Sequence, residues 1–298
     1  MATQKTDHEP FETSDLTVHE PFETSDLTAR VPVAVDDLIA AATALGWAAR
    51  WDTARRLLAS AQATGLGGPA ARRLALAGAA TAVHHDFRTD GPRWAPAAIA
   101  AADASAEPGH RWHLDLLELQ HEYGCELISP DGQPRFGPDG HDPARLAALA
   151  GRAEALMRSA PDVAGAGWAA FYRGLIADNL TGDRHGAPAW FTQALEAAGQ
   201  AEDDYLAGEA LRHLGDHDEE TGDLERARAR WERSAELWAR IGNMTGVLAQ
   251  QLLLAQLAVT EGRALAGMAI AREVSRWAGA AGLVQCQKQA DALLAARG

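Results

Sequence analysis

Lysine is almost missing from this chain. Only Lys5 and Lys288 occur in 298 residues, so 25 of the 27 basic side chains are arginine. Two cysteines far apart in the chain, Cys125 and Cys286, make neither a disulfide framework nor a cysteine-rich metal knot. β-branched residues are scarce, which argues against a sheet-based fold. No apolar run approaches the roughly 18 residues of a membrane span, and the N-terminus lacks the basic-then-apolar pattern of a secretion signal. A basic excess is lacking too. Twenty-seven basic against 41 acidic side chains leave a formal charge of −14, and an acidic surface repels phosphate backbones. The expectation is a cytoplasmic protein without nucleic acid or membrane as partner. Phosphate-loop, GxSxG and HExxH motifs do not occur; His8-Glu9 and His19-Glu20 lack the second histidine.

What the chain has in abundance is alanine, 66 residues or about 22%. Alanine and arginine are good helix formers, so an all-α fold is expected. The first residues stand apart. His8 to Val18 reads HEPFETSDLTV and His19 to Ala29 reads HEPFETSDLTA, a tandem 11-residue duplication. Residues 1–29 hold seven acids and one base, and each unit has one phenylalanine and one leucine. That composition buries too little apolar area to offset the entropy of ordering, so residues 1–30 are expected to be disordered alone, and 31–298 to form the folded domain. The tail reads as a duplicated tolerated segment or as a recognition motif displayed twice. Folding back into the protein's own groove is another reading, and so is a modification substrate through Thr13, Ser14, Thr17, Thr24, Ser25 and Thr28. These alternatives stay open.

From about Val35 the pattern is helix, turn, helix. Gly182-Asp183 lies 40 residues before Gly222-Asp223, and Gly262 lies 40 further on. Ala187, Ala227 and Gly267 share that spacing, as do Phe191, Trp231 and Ala271, and Asp178 with Asp218. A fixed period of this size means stacked supersecondary units that cover one another's apolar faces. Gly222 and Gly242 are suited to end helices, and Asp223 and Asn243 to cap the next ones. Gly215 and Ala227 are small where two helices must approach closely.

These residues, with the ending AELWARIGN at Ala235 to Asn243, resemble the tetratricopeptide repeat in its longer 40-residue form, found in signalling adapters and bacterial regulators. The match is strongest over 205–243, good over 165–203, moderate over 244–283 and weaker upstream. Leu38 to Ala61, 69–106 and 110–159 supply three more degenerate pairs. Ser129 to Asp142 is a Gly/Pro-rich insert, read as a lid or docking loop. Val284 to Ala296 is expected to cap the array. The resemblance implies an α-solenoid of about six such helix pairs with a C-terminal capping helix. It also implies a non-catalytic scaffold or adapter whose first helices line a concave groove for a protein or peptide partner. A peptide-sensing regulator acting through a partner protein, and a helical-repeat enzyme built on a His/acid cluster, remain the alternatives. A homo-oligomer stays open, and no cofactor is implied.

Glu209, Arg212, Asp216 and Glu219 share one face of helix 205–221. Stepping by 40 adds Tyr172, Ile176 and Asn179 from the preceding repeat and Leu252, Gln256 and Val259 from the following one. The candidate binding residues are therefore Tyr172, Asn179, Arg212, Asp216, Glu219 and Gln256, an acidic groove around one arginine. A clamp for acidic C-termini needs several lysines, which this chain lacks. His213 and His217 have the i, i+4 spacing of a metal pair, but no second helix supplies a partner, so no metal site is assigned. Asp178 and Asp218 read as half-buried acids, in an inter-helix salt bridge or a hydrogen bond to neighbouring backbone, with a functional acid as the alternative. His84, His85, His110, His113 and His121 read as ordinary part-exposed histidines, with a common pocket of His110, His113 and His121 beside Glu118 as the alternative, and the nine tryptophans as helix packing.

Overall fold

The computed structural model describes residues 34–88, 93–104, 108–129 and 133–296; the duplicated N-terminal tail lies outside them. The described residues are all-α, with a single isolated β-bridge between Ile128 and Pro134. Thirteen α-helices follow one another: α1 Val35–Trp47, α2 Trp51–Gln62, α3 Gly68–Arg88, α4 Ala95–Asp103, α5 Pro108–Leu127, α6 Pro143–Arg158, α7 Val163–Leu175, α8 Ala187–Ala201, α9 Asp204–Glu220, α10 Leu224–Arg240, α11 Met244–Thr260, α12 Ala264–Ala281 and α13 Val284–Ala295. Each packs against its neighbours in the chain. No described helix is long and apolar enough to cross a membrane.

Helix boundaries follow the local chemistry. Gly222 and Gly242 take φ of 84° and 76°, conformations in which a side chain would be strained. The carboxylate of Asp223 then accepts from the amide of Arg226 at 3.1 Å, and the Asn243 amide oxygen accepts from Gly246 at 3.1 Å. Asp162 and Asp203 cap α7 and α9 in the same way. Four helix starts in the C-terminal half, those of α7, α9, α10 and α11, thus use one device.

Packing within the pairs depends on glycine facing an aromatic ring. A methyl group at Gly215 would lie 2.5 Å from the indole nitrogen of Trp231, and one at Gly174 would lie 2.7 Å from the Phe191 ring. Phe191 and Trp231, 40 residues apart, therefore occupy equivalent settings. Burying such a ring contributes about 2 kcal/mol. The two glycines, however, are 41 residues apart. The difference is a π-helical turn, Ile176–Thr181, that continues α7 and holds one residue more than an α-helical path.

The array curls back on itself. Ala49, just after α1, packs against the apolar cluster that α11, α12 and α13 build around Leu248, Leu252 and Val274, and α1 contacts α11. Trp47 lies 5.9 Å from the ring of Tyr205 on α9. The odd-numbered helices α3, α5, α7, α9 and α11 consequently face a common interior.

Candidate functional site

That interior holds a cavity of about 490 Å³. All six sequence-chosen residues, Tyr172, Asn179, Arg212, Asp216, Glu219 and Gln256, line it. Three other positions on the same expected face do not. Ile176, Leu252 and Val259 are buried in the packing between helices. For Ile176 the reason is the π-turn: the extra residue turns the preceding helix by about 100° relative to a strict 40-residue register, so Leu175 and Phe171 face inward instead. On α11 the inward residues are Leu253, Gln256 and Leu257.

The groove was expected to hold one arginine; the cavity holds three, Arg88, Arg184 and Arg212. Arg88 is the last residue of α3 and meets Glu209 at 3.3 Å. Burial alone would weaken its charge, yet Tyr205 and Glu209 beside it hold its pKa above the ordinary value. Tyr172 and Tyr205 are both shifted upward by burial, which keeps their hydroxyls protonated. Arg212 reaches Asp216 at 3.6 Å and donates to Nε2 of His213 at 3.1 Å. Accepting that bond requires an unprotonated ring nitrogen. Burial, reinforced by Arg212, pushes the His213 pKa well down, in agreement. Burial likewise pushes His84 down to about 4. Burial raises the pKa of Asp216 against the pull of Arg212; its carboxylate also accepts from the Trp231 indole at 3.1 Å. Arg184 pairs with Glu220 and sits 3.1 Å from Asp178.

One wall is a chain of aromatic rings. Tyr123 meets Tyr172 edge-on at 5.7 Å, Tyr172 meets Phe171 at 5.7 Å, Phe171 meets Trp168 at 5.8 Å, and Trp168 meets Tyr205 at 5.3 Å. Beside them Asn179 donates to the Tyr123 hydroxyl at 2.7 Å, leaving the phenolic proton free to donate. Gln120 is buried at the cavity wall with its amide oxygen unpartnered. The mouth carries Glu219, Glu220 and Gln256, all exposed, and Phe136 of the insert, 65% exposed. The insert is anchored by the buried ring of His141 on Glu126 at 2.9 Å and by the amide of Gly137 on the Asn179 carbonyl at 2.8 Å.

Other sequence candidates lie elsewhere. Asp218 is held by Arg226 and Arg230, each at 2.7 Å, and Asp178 by Arg184 and by His217 at 3.3 Å. Asp218 thus bridges α9 to α10 as expected, whereas Asp178 meets an arginine of the turn before α8 and a histidine of α9; both acids are buried rather than half-buried. His213 stacks on Phe191 at 4.9 Å, a packing role that leaves no shared ligand position with His217. Among the described residues no three His, Cys, Asp or Glu side chains converge to hold a metal ion. His110, His113 and His121 do not line the cavity, whereas His84, Trp168 and Trp231 do. Gln120, Tyr123, His84 and Arg88 escaped the sequence reading because α3 and α5 carry no repeat signature.

No protein-family model matches the chain, and no curated protein matches it either.

Proposed function

We propose that the chain is a non-catalytic, cytoplasmic helical-repeat protein of tetratricopeptide-like solenoid build that binds a short peptide segment of a partner in its central cavity. One observation carries this reading: the inward faces of five helices, each the first of its pair, converge on a single cavity of about 490 Å³. That volume lies within the usual range for bound small ligands, so it fits a few residues of a peptide rather than a whole partner helix. The mixture of aromatic wall, paired charges and free amide and phenol groups supplies orientation as well as burial. The candidate contacts are Tyr172, Asn179, Arg212, Asp216, Glu219 and Gln256, joined by Arg88, Tyr205 and Gln120.

The test uses the indoles of Trp168 and Trp231, which line the cavity and report its occupancy. A panel of blocked tetrapeptides spanning positive, neutral, negative and aromatic side chains is titrated against the full chain and against Gln256→Trp, which crowds the exposed mouth without touching the core. Binding by the parent and a loss of at least about tenfold in the variant, roughly 1.4 kcal/mol, supports the reading. Equal binding by both chains, or none by the parent, removes it.

The contact of α1 with α11 favours a second, sensory reading. A ligand that wedges the cavity open would part these helices, which small-angle scattering with and without the bound peptide would register as a change in radius of gyration.

A further inference from the structure

The cavity has an uneven balance of charge. Its lining carries three arginines, Arg88, Arg184 and Arg212, against five carboxylates, Asp178, Glu209, Asp216, Glu219 and Glu220, a formal difference of 3 − 5 = −2. The two lining histidines, His84 and His213, add nothing, since burial keeps them neutral. Each arginine is already committed to a carboxylate: Arg88 to Glu209, Arg212 to Asp216, Arg184 to Asp178 and Glu220. An anionic ligand would have to pass Glu219 and Glu220 at the mouth and then strip one of these pairs. Glu219, by contrast, has no ion-pair partner among the described residues. Of the aromatic wall, Tyr172, Trp168 and Tyr205 are the part-exposed rings, and aromatic rings attract a cation over their faces. Next to it, the buried Gln120 amide oxygen is an acceptor without a donor. A cation brings the N–H donors such an acceptor needs and leaves every existing pair intact.

We infer that the cavity recognises the guanidinium or ammonium group of its ligand, admitted past Glu219 and lodged against the tyrosine wall beside Gln120. The inference rests on the cavity being the binding site and narrows what enters it. The same chemistry could come from an arginine or lysine side chain of a peptide or from a free alkyl amine.

Arg88 turns this into a question of sign. If the ligand is cationic, the like charge of Arg88 in the same lining opposes it, so Arg88→Gln tightens binding. If the ligand is anionic, Arg88 anchors it and the same substitution weakens binding. The probes are blocked tetrapeptides that differ only in one arginine, lysine, glutamine or glutamate, together with free agmatine and spermidine. Each is titrated by calorimetry against the full chain, Arg88→Gln, Glu219→Gln and Gln256→Trp. Glu219→Gln changes an exposed side chain and keeps the fold, so it serves if Arg88→Gln misfolds. The expected result is that an arginine or lysine probe binds at least about tenfold tighter than the glutamine one, as a charged hydrogen bond would provide. Arg88→Gln should strengthen that binding and Glu219→Gln should weaken it severalfold. Preference for agmatine or spermidine over the peptides keeps the inference and assigns a small free cation as the source. Tightest binding by the glutamate peptide, or weakening of the cationic probes by Arg88→Gln, overturns it. If that glutamate binding is lost in Gln256→Trp, the cavity remains the site and only its charge preference was misjudged. Binding by no probe removes both.

Discussion

The hairpins α7–α8 and α9–α10 are consecutive copies of one pattern, yet they present different chemistry to the cavity. Both end their first helix at a left-handed glycine, Gly182 and Gly222. Both bury an acid four residues earlier, Asp178 and Asp218, and both seat an aromatic ring on a glycine. In α9 the path is α-helical throughout, and Glu209, Arg212 and Asp216 face inward. In α7 one extra residue is absorbed as a π-turn, and Trp168, Phe171, Tyr172 and Leu175 face inward. The α9 face is therefore mostly charged and the α7 face mostly aromatic and apolar. The lesson is that an insertion of a single residue changes a surface by rotation, without changing the fold that carries it.

The harshest way to break the comparison is to remove the insertion. Deleting Ala177 forces α7 into the register of α9 and turns Phe171 and Leu175 out of their buried settings. We expect a loss above about 4 kcal/mol, read as a large drop in the urea midpoint. A deletion tolerated within 1 kcal/mol would show that the π-turn is incidental. Next come the glycine seats. Gly215→Ala drives a methyl into the Trp231 indole and breaks its bonds to the Arg212 carbonyl and Asp216, both at 3.1 Å. It should cost about 3 kcal/mol, and Gly174→Ala about 1–2, because Phe191 makes no hydrogen bond to lose. Urea midpoints at unchanged slope decide the order.

The buried acids should separate more gently. Asp218→Ala removes two contacts of 2.7 Å to arginines that remain partly hydrated, an expected loss of about 2 kcal/mol. Asp178→Ala removes longer contacts and should cost about 1 kcal/mol. Equal losses would mean that the two clamps are equivalent despite their geometry.

The smallest effect at neutral pH belongs to His213, which stacks between the hairpins on Phe191. Burial holds its pKa well below the ordinary value in the fold and that of His84 down to about 4, while in the unfolded chain both titrate near 6.5. The unfolded state then binds more protons below pH 6.5. Stability contributed by the neutral rings is present above that pH and is lost as the pH falls from 6.5 towards 4. His213→Phe keeps the stack, should change stability by less than about 1 kcal/mol at pH 7.5, and should flatten the decline in melting temperature between pH 6.5 and 4. An unchanged slope would show that His213 does not titrate with unfolding.

Much of the architecture was legible. The 40-residue spacing located the left-handed glycines, the capping residues Asp223 and Asn243, and the equivalent seats of Phe191 and Trp231, because backbone conformation and helix capping are local properties. The candidate residues were legible where the helix is regular. Ile176 was misplaced because a π-turn has no signature beyond one uncounted residue. Leu252 and Val259 were misplaced because α11 is apolar on nearly every face, so its pattern does not say which side is inward. The contributions of α3 and α5 were hidden for a different reason: Arg88, Tyr123 and Gln120 lie far from the repeats in sequence and meet them only when the array curls.

Alone, the order of residues determined an all-helical chain, its turns and caps, and the stripe of Arg212, Asp216 and Glu219 on one helix, since each follows from interactions within a few residues. The packing of helix on helix decided that these stripes surround a shared cavity, that three guanidinium groups rather than one enter it, and that the aromatic residues of α5, α7 and α9 join as one wall. Such outcomes depend on helix-to-helix rotation summed over the whole array, where one residue more or less redirects every side chain on the helix before it.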